Sequence, residues 1–149
     1  MDINSIKARL WLCVPVIITD ILDATVTMLG QSAEYWQGSY HLVNEANPIA
    51  CWFLEIHPLA NAVYIILDFG VISILIILLP LFFAKILAAY WTVGSAKAIY
   101  GWSYNRLGLG WWGSNLVILF PIIILVYAFE KAMKYEANQE KQTKAPHSG

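Results

Sequence analysis

Asp20 and Asp23 stand three residues apart in an otherwise apolar run, with Thr27 four residues on and Gln31 at the same step. On a helix this spacing gathers them on one face, with neighbouring Cβ atoms about 5–6 Å apart. Carboxylates so placed can bind a hard cation, relay protons, or serve as a base beside a metal-bound water. Asp68, Lys97 and Asn115 each interrupt a later apolar run, and all are expected at about the same level, in the outer half of a membrane. The buried polar site read from the sequence is therefore Asp20, Asp23, Thr27, Asp68, Lys97 and Asn115.

Energetics require these groups to face one another. An Asp or Lys at the centre of a spanning helix costs roughly 2.5–3.5 kcal/mol, so three Asp and one Lys turned to lipid would cost about 10–14 kcal/mol. One lysine cannot neutralise three carboxylates, and two like charges about 4 Å apart repel by about 4 kcal/mol even at an effective dielectric near 20. The charge is balanced by a retained proton or a bound cation. Lys97 is read as the counter-ion of one of the three.

Spanning elements must position the groups. The chain has 149 residues, 59% hydrophobic and 13% charged, with a mean hydropathy of +0.60. A soluble domain carries about 25% charged residues. With a net charge of −1 there is no basic footprint for nucleic acid. A span needs about 20 mostly apolar residues, and four candidates arise: about 9–30, 61–83, 84–104 and 111–134, the last containing Pro121, expected to kink it. The fold class is all-α, a four-helix transmembrane bundle. Residues 1–134 form a single membrane domain, and 135–149 are expected to be a disordered cytoplasmic tail. Lys7 and Arg9 precede the first run without a signal-peptide cleavage site, so that segment is read as an uncleaved helix.

Orientation follows the lysines and arginines. Lys7, Arg9, Lys85, Lys131, Lys134, Lys141 and Lys144 fall on one side, and only Arg106 falls on the other. The protein is expected to be multi-pass, with both termini cytoplasmic, which requires an even number of spans. The aromatic residues suit the two membrane interfaces. Gly94, Ala98 and Gly101 are expected where helices approach closely.

The outer connection has no Lys or Arg. Asn47-Pro48 is a helix start signal, giving a short interfacial helix at about 48–57. Glu45, Asn47 and Pro48 form a loop cap, with Glu45 expected at the mouth of the aspartate site. A metal version of that site takes Asp20, Asp23, Asp68, Glu45 and His57, a divalent cation being the cofactor such ligands suit; His41 reads as an interface residue. Cys13 and Cys51 are expected on opposite sides of the bilayer, unable to pair. No HExxH or GxSxG motif is present.

Asp23, Thr27 and Glu45-Ala46-Asn47-Pro48 together resemble an uncharacterised family of small prokaryotic membrane domains with a D…T…E-x-N-P pattern across two helices. The resemblance covers about a third of the chain. It implies a fold type, makes these five residues one group, and places the chain in the inner membrane of a prokaryote; it implies no activity.

Three functions follow as expectations. The first is a membrane protein whose acidic site binds a cation or moves protons. The second is an accessory or structural subunit of a larger membrane complex, or a homo-oligomer. The third is an intramembrane metal-dependent hydrolase. Beside all three stands a purely structural polar core that holds the helices together.

Overall fold

A computed structural model describes residues 3–144. Among them every regular element is helical: α1 (Ile3–Leu29), α2 (Ala33–Trp36), a 3-10 turn (Tyr40–Leu42), α3 (Pro48–Ile56), α4 (Pro58–Leu78), α5 (Leu81–Asn105) and α6 (Gly110–Lys144). Three helices are long and apolar enough to cross a membrane: α1, α4 and α6. The chain is a helical membrane protein. Its surface fits that environment, with Ile66, Leu67, Val71, Ile74, Phe82, Phe83 and Ile123 all exposed.

α1 is the hub, packing against α4, α5 and α6. The core around it is built from Ala8, Leu12, Cys13 and Val16 of α1, Ile72 and Ile76 of α4, Ala84 and Ala88 of α5, and Ala132 of α6. Small residues at four-residue steps on α5 (Ala84, Ala88, Thr92, Ala96) are all buried. They let backbones approach, as membrane helices do without a hydrophobic drive between them.

Several boundaries differ from the sequence reading. The second long helix ends at Leu78 and the third begins at Leu81, because Pro80 lacks an N–H and forces Leu79 into extended backbone (ψ 154°). Arg9 closes this turn. Its guanidinium donates to the carbonyls of Ile76 and Ile77, each at 3.1 Å, and to that of Leu79. The helical donor for Ile76 would have been the N–H that Pro80 does not have.

α1 starts six residues before the expected Arg9, at Ile3. α6 continues unbroken through Pro121 to Lys144, so residues 135–144 are helical and not a disordered tail; residues 145–149 lie outside those described. What holds the extension is contact. Lys85 Nζ lies 2.6 Å from Glu136, the Lys7 ammonium is 5.8 Å from the Tyr135 ring, and Ala128 and Ala132 are buried one turn apart.

Close packing also falls elsewhere than expected. A Cβ on Gly94 or Gly101 would meet open space, whereas one on Gly30 would fall on the Trp102 ring. Gly30→Ala should therefore cost about 1–3 kcal/mol, the usual range for overpacking, read as a lowered unfolding midpoint in detergent; an unchanged midpoint would mean that α1 and α5 do not meet there.

The connection between α1 and α4 folds over one end of the bundle, the loop end, where Trp36, Trp52, Trp102, Trp111 and Trp112 gather. Gln31 ties it to α1: its amide accepts from Asn44 N at 2.9 Å and donates to the carbonyls of Asn44 and Thr27, both at 3.1 Å. The Tyr35 hydroxyl donates to the Leu54 carbonyl of α3 at 3.0 Å, and burial pushes that phenol above its ordinary range, with Tyr40 adding to the effect. α3 buries Ala50 and Leu54 and exposes Ile49, Trp52 and Ile56. Cys13 and Cys51 are both free thiols.

Candidate functional site

The polar face of α1 opens on a cavity of about 980 Å³ bounded by α1, α4, α5 and the residues that lead into α3. α4 and α5 join at the Leu79–Pro80 turn, and the cavity lies between them toward the loop end. Four carboxylates border it: Asp20 and Asp23 from α1, Asp68 from α4 and Glu45 from the connection.

The four differ in how they are held. Asp20, 4% exposed, accepts from the Trp91 indole at 3.2 Å and from the Ser95 hydroxyl at 2.9 Å. α5 thus supplies the donors that make its burial tolerable. Asp23 has no such support: its Oδ1 is buried and takes no hydrogen bond among the described residues, and it stands close enough to Glu45, Asp20 and Asp68 to feel their charges. Glu45 is braced in the loop, accepting from Asn47 N at 2.7 Å on one oxygen and from Thr27 Oγ1 at 3.5 Å on the other. Asn47 in turn caps α3, its Oδ1 accepting from Ile49 N at 3.0 Å, while its Nδ2 donates to the Tyr64 hydroxyl at 3.0 Å. Pro48 takes the first position of α3 and is exposed. Its ring fits there because that N–H would have no helical partner.

The structure therefore brings together Asp20, Asp23, Thr27, Glu45, Asn47 and Asp68. Lys97 lines the cavity as well, but its side chain is exposed. The ion pair found among the described residues is Lys85 with Glu136, so Lys97 is not the counter-ion of any aspartate: its position on α5 sets it on the rim rather than the floor. Asn115 stands apart, its amide donating to the Trp111 carbonyl of its own helix at 2.7 Å. His57 is also elsewhere. Its Nδ1 accepts from Leu59 N at 3.1 Å and caps α4, so it is not a ligand beside the carboxylates. Among the described residues no three of His, Cys, Asp and Glu are grouped so as to hold a metal ion. The set Asp20, Asp23, Asp68, Glu45 and His57 is corrected accordingly.

Sequence reasoning missed Asn61, Tyr64, Trp91 and Ser95. The signal was present: Asn61, Tyr64 and Asp68 recur at helical spacing on α4, and Trp91 and Ser95 are one turn apart on α5. Asn61 is 4% exposed, lines the cavity, and its amide takes no hydrogen bond among the described residues. Apolar groups complete the wall, among them Ile65, Ile86, Tyr90 and Val93. The chemistry of the arrangement is that of an anionic pocket: it can attract and hold a positive charge, and its acceptors exceed its donors. Comparison with family models, with curated proteins and with solved structures finds no match to this chain.

Proposed function

We propose that the chain is a four-span membrane protein, both ends cytoplasmic, that binds a cation in its carboxylate-bordered cavity in the outer half of the bilayer. The observation that carries the reading is that Asp20, Asp23, Asp68 and Glu45 border one cavity with no cationic side chain paired to any of them among the described residues. Carboxylates in such surroundings need a proton or a counter-cation, since uncompensated charge at this depth costs several kcal/mol.

The fourth span is α5. Its 25 residues rise about 37 Å, enough for a hydrocarbon core of about 30 Å. Its mean hydropathy is lowered by two lysines, and neither needs to sit in lipid: Lys85 pairs with Glu136 and Lys97 opens onto the cavity. Phe82, Phe83, Ile86, Tyr90 and Val93 give it an apolar exposed face. With α5 spanning, Lys7, Arg9, Lys85 and Lys131 gather at the end opposite the loop, as the positive-inside rule requires. α3 then lies at the outer interface with Trp52 and Ile56 turned to lipid.

Thermal unfolding of the detergent-purified protein tests the cation directly, with sodium, magnesium and ethylammonium chlorides compared at equal ionic strength. A saturable rise in midpoint with one of them is expected, since a ligand at 100 times its Kd adds about 2.7 kcal/mol to the folded state. No rise with any class of cation would overturn the proposal.

A further inference from the structure

We propose that the bound cation is the ammonium of a zwitterionic phospho-ammonium group, as in a phosphatidylethanolamine head, with the phosphate at Lys97 and the acyl chains along the exposed face of α5. The inference rests on the cation-binding reading above and names its ligand class.

Size is the first argument. A cavity of about 980 Å³ lies at the upper end of organic-ligand pockets and far exceeds a bare or partly hydrated metal ion. The carboxylates are also not grouped as a metal requires. Spread around a wider space, they suit a larger cation whose charge is shared over several N–H or C–H groups. Aromatic rings at Tyr64, Tyr90 and Trp91 line the same space, and ring faces attract ammonium groups.

The second argument is polarity left without a partner. Asn61 is nearly fully buried, borders the cavity and takes no hydrogen bond among the described residues. Oδ1 of Asp23 is fully buried beneath the same wall and likewise takes no hydrogen bond among the described residues. An unpartnered amide that lines the cavity is free to bond a ligand's donors and acceptors, and a buried carboxylate oxygen without a donor is costly unless a cation nearby offsets its charge.

The rim supplies the third. Lys97 is exposed and has no carboxylate partner among the described residues. A metal ion or a simple alkylammonium would gain nothing from a cation at the rim. A ligand that joins a phosphate to its ammonium gains at both points. Ile86, Tyr90 and Val93 are at once cavity wall and lipid-facing surface, so a lipid can place its head in the cavity without its chains leaving the bilayer.

The test is native mass spectrometry of the delipidated full-length protein in detergent, offered dioleoyl phosphatidylethanolamine, dioleoyl phosphatidylglycerol or soluble O-phosphoethanolamine. Phosphatidylethanolamine should bind at least tenfold more tightly than phosphatidylglycerol, which lacks the ammonium. Lys97→Gln, at an exposed position where folding is not at stake, should weaken phosphatidylethanolamine at least fivefold while ethylammonium, relieved of a like charge at the cavity, binds no more weakly than before; Asp23→Asn should weaken both, and Asn115→Ala neither. Equal binding of the two lipids, or no effect of Lys97→Gln, overturns the inference. If ethylammonium still stabilises the protein in that case, the cation site stands and only its ligand class falls. Soluble phosphoethanolamine binding as tightly as the lipid would uphold the headgroup chemistry and overturn the placement of the chains.

Discussion

Arg9→Ala should lower the stability of the bundle by about 3 kcal/mol, as expected for losing hydrogen bonds from a charged donor and leaving buried carbonyls unpaired. Arg9 is 8% exposed, and its guanidinium serves the carbonyls of Ile76, Ile77 and Leu79 at the turn where Pro80 withdraws a backbone donor. The side chain thus belongs to α1 but terminates α4. All three bonds come from one guanidinium nitrogen, Nη1, so the fork is not what the site uses; lysine has a shorter stem and a more strongly hydrated head, so Arg9→Lys should recover only part of the loss. Equilibrium unfolding by sodium dodecyl sulfate titration in mixed micelles reads the difference. A loss below about 1 kcal/mol for Arg9→Ala, a value typical of one neutral hydrogen bond, would mean that water reaches those carbonyls and that Arg9 serves only to orient the chain.

Asp23→Asn should weaken cation binding at least tenfold, about 1.4 kcal/mol, while leaving the empty protein as stable as before or more so. Both effects have one cause. Oδ1 of Asp23 is buried without a donor, and the charges of Glu45, Asp20 and Asp68 stand nearby, so the carboxylate costs stability when no ligand is bound and contributes most when one is. Asp20 is the contrasting case. Trp91 and Ser95 already donate to it, and Asp20→Ala leaves two half-buried donors without their acceptor, so it should lower stability by about 1–3 kcal/mol. Thermal midpoints of the two variants, with and without ethylammonium, check the crossing. Asp23→Asn falling in stability as far as Asp20→Ala would mean that both aspartates are structural members of a polar core.

The helical class and the polar stripe on α1 were legible because they depend on local periodicity. Residues 20, 23, 27 and 31 share a face whatever surrounds them. The grouping of Asp23, Thr27, Glu45 and Asn47 was legible as well, since the connection folds back over the helix it leaves. Sequence spacing gives height along a helix but not the direction a side chain takes relative to neighbouring helices, and this is where Asn115 and Lys97 were misplaced. Asn115 follows the fully buried Ser114 by one residue, about 100° round the helix, and its amide turns back to its own helix at Trp111. Lys97 was assigned to the aspartates on charge and level along the helix, although Trp91 and Ser95, on the same helix, satisfy Asp20. The extension of α6 was hidden by polar composition: it is held by contacts with α1 and α5, and only the recurrence of Ala128, Ala132 and Tyr135 marked its packed face. The α4–α5 break was legible at Pro80 and was obscured by the apolar run on both sides of it.

The most direct test of the proposal that the carboxylate-bordered cavity opens to the outside and attracts cations is the rate at which a cysteine placed inside it reacts with charged reagents. Ala24 borders the cavity and carries no charge, so Ala24→Cys, in a background with Cys13→Ala and Cys51→Ser, keeps all four carboxylates. Added to the outside of intact cells, a cationic thiosulfonate should label this position at least tenfold faster than an anionic one of similar size, and ethylammonium should slow the cationic reagent. Equal rates, a faster anionic reagent, or labelling only from the cytoplasmic side would contradict the account.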